Sequence, residues 1–415
     1  MVDNTLPLLL RGYAWLPDRR RRSGGAPVRT RLLGKRTVAL HGPAAVRFFY
    51  DESHIHRHAA LPEPVIDTLF GQGAVHTLDG QQHRVRKSMF TELLKNPSHV
   101  HDLSEHVARE WDRARDDWAE RSRVVLFDEV SVLLTRAVSD WAGVPLPEAD
   151  EARTAKDLVA MVDGFATPGP RHFKARRARR RQEERLARLI EQERARTDGP
   201  TTEYERTPFQ VVAAHRDADG TLLDPRTAAV EVLNILRPTV AISWFAAFAA
   251  HALHRHPEHR AALAGDDDPA YAHAFAQEVR RFYPFAPFVG GLAAEKLEWL
   301  GRTIRPGTLV LLDVYGQNHD PDLWPEPYSF DPARFLGREP PRDDLIPQGG
   351  GDPATGHRCP GEDITVALLA TLAQRLARLS YEVVDQDLSI PLNRIPTAPR
   401  SGFVMGEVKP LGMVK

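Results

Sequence analysis

Residues 227–254, TAAVEVLNILRPTVAISWFAAFAAHALH, are apolar on nearly every side. A helix with a polar stripe can lie on a surface, but one without such a stripe must pass through the core of a large protein. The chain has 415 residues, 42% of them hydrophobic, which is enough to wrap such a helix. Its longest apolar run, around Trp244 to Ala252, is too short to span a membrane. Arg237 and Pro238 interrupt the pattern. Proline cannot donate to the carbonyl of residue 234 and its ring clashes there, so a kink or a split is expected. Among Val232, Leu233, Ile235, Leu236 and Val240, a buried Arg237 would need an anionic partner. If a new helix starts at Pro238 instead, Arg237 lies at a surface joint.

The lone cysteine, Cys359, sits in a glycine-rich loop, LIPQGGGDPATGHRCPGEDI (345–364). The run that follows, ITVALLATLAQRLARL, predicts a long amphipathic helix. A helix N-terminus and the neighbours His357 and Arg358 favour a thiolate at such a position. The thiol could be a nucleophile, a metal ligand or a buried small hydrophobe, and the residues alone leave all three open. One cysteine excludes an intramolecular disulfide and points to a reducing compartment.

A formal net charge of −1 suggests no nucleic-acid partner. The N-terminal apolar patch is broken by Pro7 and too short for a signal segment, so a soluble cytoplasmic protein is expected. Strands are expected at 28–33 and 37–40, a helical segment at 44–51, and a loop at 67–80 with a tight Asp79-Gly80 turn. The helix at 81–94 carries His83 and Lys87 on one face, crowded with cations and without an acid, so it faces either an anion or water. Helices dominate 101–144, with Trp111, Trp118, Leu126 and Trp141 as core positions. The basic helix at 171–196 could bind nucleic acid or anionic lipid. Its acids at helical spacing, and the absence of interleaved aromatics that could form a stacking platform, favour a solvated face. Glu278 and Arg281 share a helix. Residues 303–304 and 308–313 read as a small hairpin, and 388–411 as a terminal strand pair.

The glycine-rich loop, then His-Arg-Cys-Pro-Gly, then a helix resembles the haem-thiolate loop of the cytochrome P450 family. Glu278, Arg281 and Arg334 match that family's buried network, and NHDP (318–321) falls in the family's order. Two departures, the lengthened GGGD…TGHRC loop and the Arg237-Pro238 pair, resemble the hydrogen-peroxide-using fatty-acid peroxygenases and decarboxylases. The resemblance covers nearly the whole chain. It implies a single domain over 1–415, mainly α with a small β region, holding haem b between the long kinked helix and the cysteine loop. Cys359 would ligate the iron, and His83, Lys87 and His357 would meet the haem propionates.

Most members place an acid and a hydroxyl residue where this chain has Arg237 and Pro238. The resemblance therefore implies that Arg237 pins a fatty-acid carboxylate, which acts as the general acid–base during peroxide cleavage. Oxidation near Cα and Cβ would give 2- or 3-hydroxy acids, or terminal alkenes after loss of carbon dioxide. His76 resembles the distal histidine of decarboxylating members, and Phe70 the aromatic residue that holds it. Phe165, Phe285 and Phe288 fall where substrate contacts are expected, lining an acyl tunnel. No obligatory redox partner, nucleic acid or membrane is implied, and the oligomeric state is not set. The rival expectations are a reductase-dependent monooxygenase and a non-enzymatic haem-binding protein.

Overall fold

The computed structural model describes residues 2–24, 26–165, 167–196, 206–265 and 269–410. The principal helices in chain order are α1 (Gly80–Lys95), α2 (Pro97–Ala119), α3 (Leu126–Ala142), α4 (Glu148–Asp163), α5 (Pro170–Arg194), α6 (Pro225–Val240), α7 (Ile242–Arg255), α8 (Pro269–Phe282) and α9 (Glu362–Ala377). Trp111, Trp118, Leu126 and Trp141 are all buried, as their spacing predicts.

The apolar run at 227–254 becomes α6 and α7, joined in line through Ala241. Asp224 opens α6 by accepting from the amides of Arg226 and Thr227, with Pro225 as the first helical residue. Pro238 lies inside α6, and the break comes three residues later, so the expectation of a fresh start at Pro238 is not met. Residues Pro225–Arg255 are long and apolar enough to cross a membrane, yet 94% of their most apolar window is buried against the protein itself. They are core. α6 packs on α3 and α5, while α7 packs on α3 and α9.

A five-stranded sheet flanks the helices. It contains β1 (Val28–Leu32), β2 (Lys35–Leu40), β3 (Ile55–His56), β4 (Phe288–Ala293) and β5 (Leu309–Asp313), in the order β1-β2-β5-β4-β3. The hairpin expected between 303–304 and 308–313 does not form. Arg302–Ile304 instead pairs with Leu297–Trp299, while β5 runs parallel to β2 with Thr37 opposite Leu309. β5 is buried along most of its length, and β2, also largely buried, offers it a longer apolar edge than a three-residue strand can. Among the described residues of the tail only Val404–Pro410 is a strand, and its partners are Leu379–Val383 and Arg123–Val125 rather than residues near 388.

Candidate active site

Glycine lets the loop before Cys359 approach its neighbours. Gly351 has φ +77°, and a Cβ there would lie 2.8 Å from the Tyr50 side chain. A Cβ on Gly350 would collide with the Val46 side chain. The Cys359 amide donates to the Gln348 carbonyl at 3.2 Å, and the Gln348 side-chain Nε2 lies 3.6 Å from Sγ. Burial pushes the Cys359 thiol up, against the opposing pull of Lys87 and the Gly361 amide. The expected help from His357 and Arg358 is not delivered. Arg358 is tied to Glu362 at 2.7 and 3.1 Å, and burial brings His357 down to about 4.

Asp79 and Gly80 form the start of α1, not a turn within a loop, and the preceding segment contains a short π-helix at Ile66–Phe70. The cationic face of α1 is buried: His83 and Lys87 are 1% and 3% exposed, so the water-facing alternative is overturned. His83 stacks on His357 with centroids 3.8 Å apart, and Lys87 Nζ donates to the Arg358 carbonyl at 2.5 Å. Buried Arg57, not singled out from the sequence, belongs to the same group and lies over the Phe49 ring at 4.4 Å. Besides Glu52, which lies 4.0 Å from His83 Nδ1, one carboxylate serves them, Asp79. It accepts from the amides of Arg57 and His58 at 2.8 Å and lies 3.7 Å from His357 Nε2. Burial raises the Asp79 carboxyl, but His357 and those amides outweigh it and hold it well below the usual range. Burial lowers His83 to about 3 and Lys87 to about 8. His83 Nδ1 and His357 Nε2 are buried without a hydrogen-bond partner among the described residues. Buried donors short of anions, beside a free thiol, fit a porphyrin with two carboxylates and a metal at its centre.

The opposite wall belongs to α6 and the segment 66–77. Between residues 228 and 250, Pro238 alone is exposed. Buried Arg237 donates through Nη1 to the Leu69 carbonyl and, at 2.8 Å, to Asn234 Oδ1. It finds a carbonyl and an amide where the sequence suggested an anion, and its Nε–Nη2 edge makes no hydrogen bond among the described residues. Burial and nearby Arg179 bring Arg237 down to about 9, with Glu231 opposing them. The Phe70 ring lies 5.8 Å from the Arg237 guanidinium and 4.4 Å from His76. Burial first, then Arg237, hold His76 well below its ordinary value, so its ring is neutral.

The supports of this wall are residues that the sequence did not mark. On the basic helix α5, Arg179 is buried and donates to the carbonyls of Leu69 and Phe70, each at 2.8 Å. That helix is therefore not wholly solvated. Glu231 accepts from Val75 N, Arg86 and Asn234.

Glu278, fully buried, takes two 2.7 Å bonds from Arg281 and one from the Asp331 amide, with Arg334 at 3.7 Å. Phe285 packs against Phe245 and Trp244, Phe288 joins the cluster around Trp15 and Leu16, and Phe165 is partly exposed after α4. These three rings lie in different surroundings and form no single aromatic cluster.

A family model described as Cytochrome P450 matches residues 267–407. A solved structure of cytochrome P450SP alpha (CYP152B1), in variant form, is 43% identical, covers 98% of this chain and 99% of that one, and superposes with a TM-score of 0.94. The chain is a cytochrome P450. This P450 stands with the fatty-acid peroxygenase subgroup, as the Cys359 loop and the Arg237-Pro238 pair implied, and its cofactor is haem. It is also similar to cytochrome P450EX alpha (CYP152N1), solved with myristic acid, at 35% identity over 98% and 97% of the two chains and a TM-score of 0.92. A variant of cytochrome P450 OleT, solved with arachidonic acid, is 36% identical over 100% and 98%, with a TM-score of 0.94. The cyclooctat-9-en-7-ol 5-monooxygenase of Streptomyces melanosporofaciens is 25% identical over 71% of this chain and 70% of its own.

Proposed function

We propose that this P450 oxidises long-chain fatty acids at Cα and Cβ with hydrogen peroxide, giving 2- and 3-hydroxy acids and, by decarboxylation, terminal alkenes. The observation that carries the reading is Arg237: buried, anchored through Nη1 alone, and set beside the exposed Pro238. Its unused edge suits a carboxylate in two parallel bonds. Haem bound through Cys359 supplies the redox chemistry that cleaves the peroxide O–O bond and attacks a C–H bond. His83, Lys87, His357 and Arg57 would hold its carboxylates.

Neither Arg237 nor Pro238 can move a proton at neutral pH, so the acid–base group during peroxide cleavage is the substrate's own carboxylate, oriented by Arg237. Fixing that end brings Cα and Cβ first into reach and leaves the chain to run outward, toward Phe165, Phe285 and Phe288. His76, neutral and held against Phe70, can exchange a proton beside the substrate and so bias the outcome between alkene and hydroxy acid. The P450 folds as one domain over 1–415 and works in the cytoplasm without a redox partner. Support for the substrate class comes from the solved relatives that hold myristic and arachidonic acid.

The test is haem-loaded protein with myristate and hydrogen peroxide, without reductase, read by gas chromatography–mass spectrometry. Hydroxy acids or terminal alkene are expected. No product until a reductase and NADPH are added would overturn the reading in favour of a monooxygenase.

A further inference from the structure

Glu231 is fully buried on α6, six residues before Arg237, and its carboxylate reaches three other groups. Oε1 accepts from the Val75 amide and from Arg86 Nη1, both at 2.8 Å, and Oε2 accepts from Asn234 Nδ2 at 2.9 Å. Val75 precedes His76. Arg86 lies on α1 next to Lys87 and also donates to the Gly73 carbonyl at 3.2 Å. One carboxylate thus joins the loop that carries His76, the helix that carries Lys87 and the helix that carries Arg237.

The direction of these bonds fixes more than position. A carboxylate only accepts, so Glu231 compels Asn234 to present its NH2 group, which also donates to the Phe70 carbonyl at 3.1 Å. That leaves Asn234 Oδ1 facing Arg237 Nη1 at 2.8 Å. Were the amide reversed, an N–H would face an N–H and the arginine would lose its side-chain anchor. Glu231 also opposes the mutual repulsion of Arg237 and Arg179.

We infer that Glu231 is a positioning residue for the fatty-acid clamp: it sets the amide orientation of Asn234, and thereby the seat of Arg237, while pinning the His76 loop through Val75. This rests on the substrate reading above, and it makes a prediction about hydrogen-bond polarity that bulk stability does not. In Glu231→Gln the single remaining acceptor oxygen is claimed by Val75 N and Arg86, so the new NH2 group faces Asn234. Asn234 must then turn its oxygen away from Arg237. Adding Asn234→Asp restores the acceptor that faces Arg237, because an aspartate accepts both from that new NH2 group and from Arg237; the buried negative charge returns, and the Phe70 carbonyl, losing its bond from residue 234, keeps the one from Arg179 at 2.8 Å.

The experiment uses haem-loaded wild type, Glu231→Gln and Glu231→Gln/Asn234→Asp, with matched haem content. Three readouts are the absorbance change on myristate titration, the alkene-to-hydroxy-acid ratio, and amide hydrogen exchange over residues 71–77. Glu231→Gln is expected to weaken myristate binding at least tenfold, shift the ratio and speed exchange at the His76 loop. The double variant is expected to recover binding to within about threefold of wild type. The inference is overturned if Glu231→Gln binds myristate as wild type does, or if the double variant binds no better than the single. If wild type itself does not respond to myristate, the substrate reading fails. The relay is then judged on exchange alone, and unchanged protection over 71–77 in Glu231→Gln would end it.

Discussion

Replacing Arg237 with methionine separates a substrate clamp from a structural cation, because the two roles predict opposite signs. Burial lowers Arg237 from 12.5 to about 9, a penalty on the order of 5 kcal/mol that the folded protein carries at neutral pH. Methionine fills much of the same space without charge. It leaves the Leu69 carbonyl held by Arg179 and one acceptor, Asn234 Oδ1, unpaired, which costs about 1–3 kcal/mol. Substrate-free Arg237→Met should therefore be no less stable than wild type. Losing the partner of a buried carboxylate costs about 2–5 kcal/mol of binding, or roughly 30- to 4000-fold in Kd. Ligand at a hundred times Kd stabilises the wild type by about 2.7 kcal/mol. An unfolding entropy of roughly 2.1 cal/mol/K per residue over 415 residues makes that about 3 °C in Tm. The assay is thermal melting of haem-loaded protein with and without myristate. An upward shift near 3 °C is expected in wild type and no more than about 1 °C in the variant at the same ligand concentration. A variant that melts well below wild type without ligand, or keeps the full shift with it, refutes the reasoning.

Three further outcomes are expected. His76→Gln should change the alkene-to-hydroxy-acid ratio in peroxide-driven turnover of myristate, since it replaces a neutral ring held by Phe70 with a side chain that neither titrates nor stacks in the same way; an unaltered ratio removes His76 from the partition. Glu278→Gln strands Arg281 in the core with carbonyl partners only, and should lower stability by about 3–5 kcal/mol, read as a Tm drop of roughly 3–6 °C. His251, bonded to the Tyr283 hydroxyl, is lowered from 6.5 to about 4 by burial and by Arg255, His254 and His256. Its folded-state pKa lies below the unfolded one, so its contribution is complete above pH 6.5 and is lost as pH falls toward 4. The Tm of His251→Asn should accordingly depend less steeply on pH across that window.

What could be read from the sequence were features encoded within a short stretch. The Cys359 loop, the Arg237-Pro238 pair and the Glu278–Arg281 spacing each lie within a short stretch; Glu278 and Arg281 pair as their spacing predicts, while Arg237 meets a carbonyl and an amide in place of the expected anion. The apolar pattern at 227–254 likewise foretold a core helix and its interruption. Features joining distant segments stayed hidden. Glu231 meets Val75 and Arg86 across 156 and 145 residues, and Arg179 reaches the 68–70 carbonyls across about 110, so no local spacing marks them. On α1 the local pattern shows the cations no nearby acid, because Asp79 sits at the helix start and Glu52 comes from a separate segment. Strand partners failed for the same reason: β5 chose β2, more than 260 residues away, over the nearby 302–304 segment.

The central claim is that the substrate's carboxylate, held by Arg237, does the acid–base work of peroxide cleavage that Arg237 and Pro238 cannot do. Its most direct test is turnover of myristate beside methyl myristate, with hydrogen peroxide as the sole oxidant. Product from the free acid and essentially none from the ester is the predicted result. Equal turnover of the two would contradict the claim and require an acid–base group from the protein itself.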